Sequence, residues 1–435
     1  MGSKCNRSTQ GIRGFPILII FILLFAISSV TSSSAAEVSI SSDSYLFYFE
    51  RDVAKGGSFD FVPFYEYISA DVGNLKDRPV SFHINGWGRI DLGDNQGGSS
   101  NTGDLSSAFF RYNHPRGNGE IRLGRFFFAE GTAADILDGI YVKGVGERGF
   151  GLAFYSGIPV EHTITTTDTG DFLIGGRLFY VKPGYAELGL TLLYEDGDFQ
   201  GEKREVIGLD FWTHPFTRFE LVGSAQYNSA TDSLSYQDYL FRYTHSEVMS
   251  IAFGYEDYKY KGYFQTALHS VFSSPIIDPS DEEQDLSISI DWALKENLKL
   301  EGSVKTFLHD KDDPGDATRF EVGARYRFNE LENIAGITAA FVTADKKENE
   351  YFEIRGYGTY SYKKWLFALD GLTQRNEKSI MGKKSTYQAV GSARFTLLPY
   401  LNLLGNFTYT KSPRFEDDFM IFLKASLQFN RGGEE

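Results

Sequence analysis

Phe419-Met-Ile-Phe-Leu-Lys-Ala-Ser-Leu-Gln-Phe429 is the stretch that decides the fold. Phe419, Ile421, Leu423, Ala425, Leu427 and Phe429 are apolar and fall on one face of a strand. Lys424, Ser426 and Gln428 fall on the other, beside Met420 and Phe422. Side chains of a strand alternate faces with period two, so this is a half-buried strand. The pattern recurs along nearly the whole chain in segments of about ten residues, which is how a transmembrane β-barrel reads when one face meets lipid and the other meets water.

Working outward, Val80 to Leu92 sets Val80, Phe82, Ile84, Ile90 and Leu92 against Ser81, His83, Asn85, Arg89 and Asp91. Leu286 to Leu294 alternates throughout, with only Ala293 apolar on the polar side. Phe320, Val322, Ala324, Tyr326 and Phe328 oppose Arg319, Glu321, Arg325 and Arg327. A soluble β-sandwich also alternates. The number of strands, their large aromatic outer residues and the lack of helical segments to cover them favour the barrel.

The connections alternate in length. Short ones are read at 74–79, 114–118, 145–148, 182–184, 213–217, 295–298, 329–333 and 397–399. Longer polar ones are read at 93–104, 129–137, 158–171, 196–203, 309–317, 343–350 and 375–384. Outer-membrane barrels have short periplasmic turns and longer external loops, so the strand from Val38 runs upward and the last strand runs down. Between 245 and 285 the alternation slips: Tyr258-Lys-Tyr-Lys261 reads as a tight turn and Ser273 to Gln284 as long on the short side. A literal count gives 23 strands. Single-chain bacterial barrels have even numbers, so the expectation is all-β, about 22 strands, within a range of about 20 to 24.

Residues 1–36 read as a signal peptide, with Lys4, Arg7 and Arg13 ahead of the apolar run Phe15 to Ile27 and small residues ending in Ser34-Ala35-Ala36. The apolar run is short for crossing about 30 Å of hydrocarbon. Cleavage moves the formal charge from −15 to −18 and removes the only cysteine, Cys5. Residues 37–435 show no linker or composition shift and are expected to form one outer-membrane β-barrel domain in the bacterial outer membrane. Aromatics at 16% and 45 glycines suit interface girdles and closely packed strands.

The inward positions carry both signs. Arg89, Asp91, Lys299, Glu301, Arg319, Glu321, Arg325, Arg327, Arg355, Arg394 and Lys424 are expected to line a hydrated pore, with Lys305 and Glu353 beside them. An Arg or Lys facing lipid at the midplane would cost about 2–4 kcal/mol. Each such charge is also explained by an ion pair with a cross-strand neighbour. A bore of about 22 strands is wide, and in transporters it is plugged. No connection in this reading is long enough for a plug. Loop 129–137, rich in small residues, is the expected constriction.

Chemistry is sparse. The seven histidines show no metal-ligand spacing, and no Cys-x-x-Cys-His haem motif exists. The acidic runs Asp281-Glu-Glu283 and Asp310-Lys-Asp-Asp313 read as solvated loops, the alternative being Ca²⁺ or the cations that bridge lipopolysaccharide. No catalytic residue, no metal site and no cofactor bound by this chain are expected. The expected partners are outer-membrane lipid and lipopolysaccharide, and no nucleic acid.

Leu123-Gly-Arg-Phe-Phe-Phe-Ala-Glu-Gly131 followed by Leu137-Asp-Gly139 resembles a segment of several bacterial porin families, in which a Leu-Gly-Arg strand leads to a loop and an Asp-Gly strand start. Ile40-Ser-Ser-Asp-Ser44, Phe49-Glu-Arg-Asp52, Tyr65-Glu-Tyr67 and Phe82-His83 with Gly86-Trp-Gly-Arg89 together resemble outer-membrane channels of Geobacter-type bacteria. That resemblance spans about residues 38–195. Some members of the group are barrels of porin–cytochrome conduits, so it implies either a diffusion porin or a sleeve for a multihaem c-type cytochrome in extracellular electron transfer. The final strand departs from the usual assembly signal, with Lys424 where a glycine is expected and Asn430 to Glu435 after Phe429.

Overall fold

The computed structural model describes residues 37–52, 58–73, 79–93, 101–162, 167–169, 172–196, 203–259, 282–310, 315–330, 332–413 and 418–431. The expected signal peptide lies outside the described residues.

The strand segments in chain order begin with β1 (Val38–Asp52), β2 (Ser58–Phe61), β3 (Pro63–Gly73), β4 (Val80–Asp91), β5 (Asn101–Asn113) and β6 (Gly119–Glu130). Next come β7 (Ala133–Val145), β8 (Phe150–His162), β9 (Thr167–Thr169), β10 (Phe172–Lys182), β11 (Ala186–Asp196) and β12 (Lys203–Phe216). They continue with β13 (Phe219–Asn228), β14 (Ser233–Ser246), β15 (Met249–Lys259), β16 (Glu282–Lys295), β17 (Leu298–His309) and β18 (Ala317–Phe328). The last are β19 (Asn333–Ala344), β20 (Tyr351–Tyr362), β21 (Trp365–Ile380), β22 (Lys383–Leu398), β23 (Leu401–Lys411) and β24 (Asp418–Arg431). Segment β2 extends β3 along the same neighbour β1, and β9 extends β10 along β8. The 24 segments therefore make 22 crossings. Every ladder is antiparallel. The barrel closes where β1 meets β24, from Val38↔Arg431 to Phe49↔Met420.

Closure leaves the sheet without a free edge along most of its height, which is what permits strands to sit in lipid. Facing follows the alternation. On β16 and β18, Leu286, Ile288, Ile290, Trp292, Phe320, Val322 and Tyr326 point outward, with Ile290 41% and Val322 64% exposed. Their neighbours Asp285, Ser287, Ser289, Asp291, Arg319, Glu321 and Arg325 take the opposite face. A continuous outer surface of exposed Leu, Ile, Val and Phe belongs in hydrocarbon. The chain is thus a transmembrane barrel of the bacterial outer membrane. A carboxylate interrupts the outer apolar face at Glu66, which shares its side with Phe64 and Ile68. It accepts hydrogen bonds from the hydroxyls of Ser42 and Ser44 on β1.

Several boundaries differ from the alternating-loop reading. Strand β15 runs through Tyr258 to Lys259 and β16 starts at Glu282. Strands β15 and β16 pair directly, and the rest of the slip between 245 and 285, residues 260–281, lies outside the described residues. Charged and aromatic residues kept alternating through Tyr258-Lys259, which hid the strand end. Segment 375–384 is no loop, because β21 and β22 extend to a two-residue turn. There Met381 and Gly382 both have positive φ, 50° and 82°, as a type I′ hairpin requires. Segment 158–171 is mostly strand, in β8 and β9.

The facing makes a paired prediction. Ile290→Arg puts a charge into the outer apolar surface and should reduce assembled barrel by an amount corresponding to about 2–4 kcal/mol. Asp291→Asn, one residue on but facing water beside Lys299, should assemble normally. Heat-modifiable migration on SDS gels measures both; equal yields would mean the faces are reversed.

Candidate functional site

The bore is interrupted at β6 and β7. Pairing of β5 with β6 runs from Asn113↔Glu120 to Ala108↔Arg125 and stops. Pairing of β7 with β8 stops at Leu137↔Pro159. The two strands stay paired with each other to Glu130↔Ala133. Residues 126–136 are therefore a hairpin bonded to itself and detached from both wall neighbours. Arg122 Nη1 donates to the Phe127 carbonyl at 3.0 Å. In a straight strand these positions are roughly 16 Å apart at about 3.3 Å per residue, beyond an arginine's reach, so the chain bends sharply between them.

Glycines allow the bend. Gly124, Gly139 and Gly157 are opposite one another on three successive strands. Gly124 has φ +123°, and a Cβ there would meet the Ala108 carbonyl oxygen and Phe109 Cα. A Cβ on Gly139 would come within 2.7 Å of Gly157 Cα, and the reverse holds equally. Backbones this close exclude any side chain. Outside the hinge, Arg125 forms a two-pronged pair with Asp138, both contacts at 2.7 Å, and its Nη1 donates to Leu105 O at 2.9 Å. Arg125 and Asp138 occupy outward positions in the alternation. They supply polar contacts at the point where β6 leaves β5.

The hairpin folds onto the inner wall. Phe126, Phe128 and Leu137 are 0–1% exposed and pack with Ala153, Tyr155, Leu173, Leu193 and Val206 of β8, β10, β11 and β12. The Phe128 and Tyr155 rings stack with centroids 4.2 Å apart. Each such buried side chain contributes about 1.5–3 kcal/mol. The opposite face of the hairpin, with Phe127, Ala129 and Ala134, is exposed to the bore.

At its tip the contacts are ionic and tight. Glu130 is buried, accepts from the Tyr141 hydroxyl and from Lys143 Nζ at 2.9 Å, and lies 3.6 Å from Arg177 Nη1. Arg177 is also buried, pairs with Asp210, and reaches Glu187 at 2.8 Å. Gly131 sits where a Cβ would collide with Asp210 and Thr191 and lie 3.0 Å from Arg177 Cδ. Thr132 rests on Gly208. Arg204 lies 3.9 Å from Asp135 of the hairpin and 3.5 Å from Glu195. Removing one partner from buried ion pairs of this sort costs about 3–5 kcal/mol, so Arg177 fixes the tip to β10, β11 and β12.

The segment 129–137, expected as a loop, is thus strand on both sides of the turn Gly131-Thr132, although it does enter the bore. The eleven expected pore residues all take the face opposite the exposed apolar side chains, and most are paired along the wall. Arg89 lies 3.5 Å from Asp91. Lys299 bridges Asp291 at 2.8 Å and Glu301 at 3.2 Å, and Arg325 meets Glu301 at 3.2 Å. Arg319 holds Glu321 at 2.6 Å and Glu353 at 2.9 Å. Arg355 holds Asp370 at 2.7 Å, and Lys424 holds Asp43 at 3.2 Å. Arg327 and Arg394 make no ion pair among the described residues. None of the eleven belongs to the hairpin or its seat. Glu130, Arg177, Asp210 and Arg204 were missed, since their contacts join distant strands; the available signal was the Leu-Gly-Arg and Leu-Asp-Gly pair flanking the bend. Among the described residues no cluster of three or more His, Cys, Asp or Glu could hold a metal ion.

No protein-family model matches the chain, and no curated protein matches it. Solved structures resembling it include Pseudomonas aeruginosa OccK5 (OpdH), 9% identical, covering 92% of this chain and 99% of that one with TM-score 0.45. P. aeruginosa OpdK with vanillate is 10% identical, covering 91% and 99%, with TM-score 0.44. The translocation pore of the P pilus usher PapC is 10% identical, covering 90% and 99%, with TM-score 0.43. At these levels none assigns the chain a solute or partner.

The seat is directly testable. In a Cys5→Ser background, which has no other cysteine, Thr132→Cys with Gly208→Cys should form a disulfide under mild oxidation. Thr132 Cβ lies 2.7 Å from where a Gly208 Cβ would stand, so a backbone shift of about 1 Å brings the pair to the roughly 3.5–4.5 Å a disulfide spans. Gel mobility before and after reduction reads it; two free thiols in the folded barrel would place the hairpin elsewhere.

Proposed function

We propose that the protein is a diffusion channel for small hydrophilic solutes in the outer membrane, its bore narrowed by the β6–β7 hairpin. The observation that carries this reading is the seating of residues 126–136 on the inner wall, away from their wall neighbours. A closed barrel gains nothing in backbone pairing by bending two strands out of its own sheet. The bend gives a fixed obstruction inside a wide bore, with a hydrated wall of both charge signs around it. Arg89, Asp91, Lys299, Glu301, Arg319, Glu321, Arg325, Arg327, Arg355, Arg394 and Lys424 are then the pore lining. Lipid and lipopolysaccharide are the surrounding partners.

The cytochrome-sleeve reading rests on a bore without a plug and on the resemblance of residues 38–195. The inward hairpin weakens the first ground, because a sleeve needs room for a folded partner. The sequence carries no haem motif, so any electron transfer would be borrowed from a bound multihaem cytochrome.

Replacing residues 127–136 by two glycines should raise single-channel conductance in planar bilayers while the barrel remains heat-modifiable. Unchanged conductance in a correctly assembled variant would show that the hairpin does not limit the pore.

A further inference from the structure

The inner wall opposite in character to the charged sector is aromatic. Tyr45 and Phe47 on β1, Tyr65 and Tyr67 on β3, Trp87 on β4 and Phe422 on β24 all take the inward face with Arg89 and Lys424. Their rings are contiguous. Phe47 and Phe422 lie 4.8 Å apart, Tyr45 meets Tyr67 edge-on at 5.4 Å, and Tyr65, Tyr67 and Trp87 are mutually 6.4–6.5 Å apart. Tyr67 is 39% exposed. A contiguous aromatic patch facing water is unfavourable unless something binds there. The hairpin's seat, on β8 and β10 to β12, does not include these strands.

The rim of this patch is polar and nearly neutral. Arg89 lies over the Tyr65 ring at 5.6 Å and pairs with Asp91. Lys424 lies over the Tyr45 ring at 4.7 Å, pairs with Asp43 and donates to the Tyr45 hydroxyl at 3.0 Å. Each cation already has its carboxylate, so the site offers no net charge to an ionic solute. It offers flat ring faces beside carboxylate and tyrosyl oxygens with spare acceptor capacity. A pyranose has this complementarity: an apolar C–H face for the rings, and hydroxyl donors at its edge for Asp43, whose side chain is 37% exposed.

We propose that the wall of β24, β1, β3 and β4 is a saccharide-binding subsite in the bore, with Tyr67 and Trp87 as its stacking floor. This deepens the channel reading, which supplies the route by which solute arrives. The segments Tyr65-Glu-Tyr67 and Gly86-Trp-Gly-Arg89 thereby gain a physical role.

The test uses the whole mature barrel and maltohexaose. In planar bilayers maltohexaose should interrupt the current at millimolar concentration. In the Tyr67→Ala, Trp87→Ala double variant the half-blocking concentration, scaled to that variant's own open current, should rise about tenfold through lost stacking. Equilibrium dialysis of the detergent-solubilised barrel against labelled maltohexaose measures binding without any current, so a chain that fails to conduct can still support or overturn the subsite. Absence of binding to the folded wild type would overturn it. So would equal binding by the double variant, or binding of phenol with none of maltohexaose.

Discussion

Every backbone N–H and C=O that enters hydrocarbon must be satisfied within the protein, because lipid offers no partner. That constraint organises the whole molecule. It requires the last strand to return to the first, from Val38↔Arg431 to Phe49↔Met420. It fixes the alternation too, since closure leaves one face for lipid and one for the bore. A one-residue slip in any strand would exchange the faces of that strand.

The hairpin is the place where this constraint is met by side chains in place of a neighbouring strand. Where β6 parts from β5, Arg125 donates to Leu105 O, and where the chain bends, Arg122 donates to Phe127 O. Cationic donors serve here because they are strong and long enough to follow a backbone that has left its ladder. The inner side of the bend then becomes the molecule's one extended apolar cluster among the described residues, from Phe126 and Phe128 to Tyr155 and Leu173. Rigid seating matters for a pore: an obstruction held by Arg177, Glu130 and Asp210 keeps the bore at one width.

Much of the architecture is legible in the sequence because it depends on nearest neighbours. Leu286 to Leu294 states its two faces residue by residue, and the strand count follows from repeats of that pattern. The inward hairpin is not legible in the same way. Phe126-Phe127-Phe128-Ala129-Glu130 continues in strand register through the bend, and period two says nothing about which layer a strand joins. The signs of departure are the three glycines and the residues Arg122, Arg125 and Asp138, which look like ordinary strand punctuation until their cross-strand partners are known. Likewise nothing in the strand pattern marks Arg177, although its contacts with Glu130, Glu187 and Asp210 bring four strands together. The aromatic wall is spread over Tyr45, Tyr67, Trp87 and Phe422, so it emerges only when β24 closes on β1.

The central claim is that the exposed face of the hairpin borders the conducting path. Single cysteines at Ala129 and Ala134 test it most directly, with a membrane-impermeant, charged methanethiosulfonate applied to open channels in a bilayer. Attachment at either position should lower the current in a discrete step that a reducing agent reverses. Complete labelling with no change in current would place this face outside the path and contradict the account.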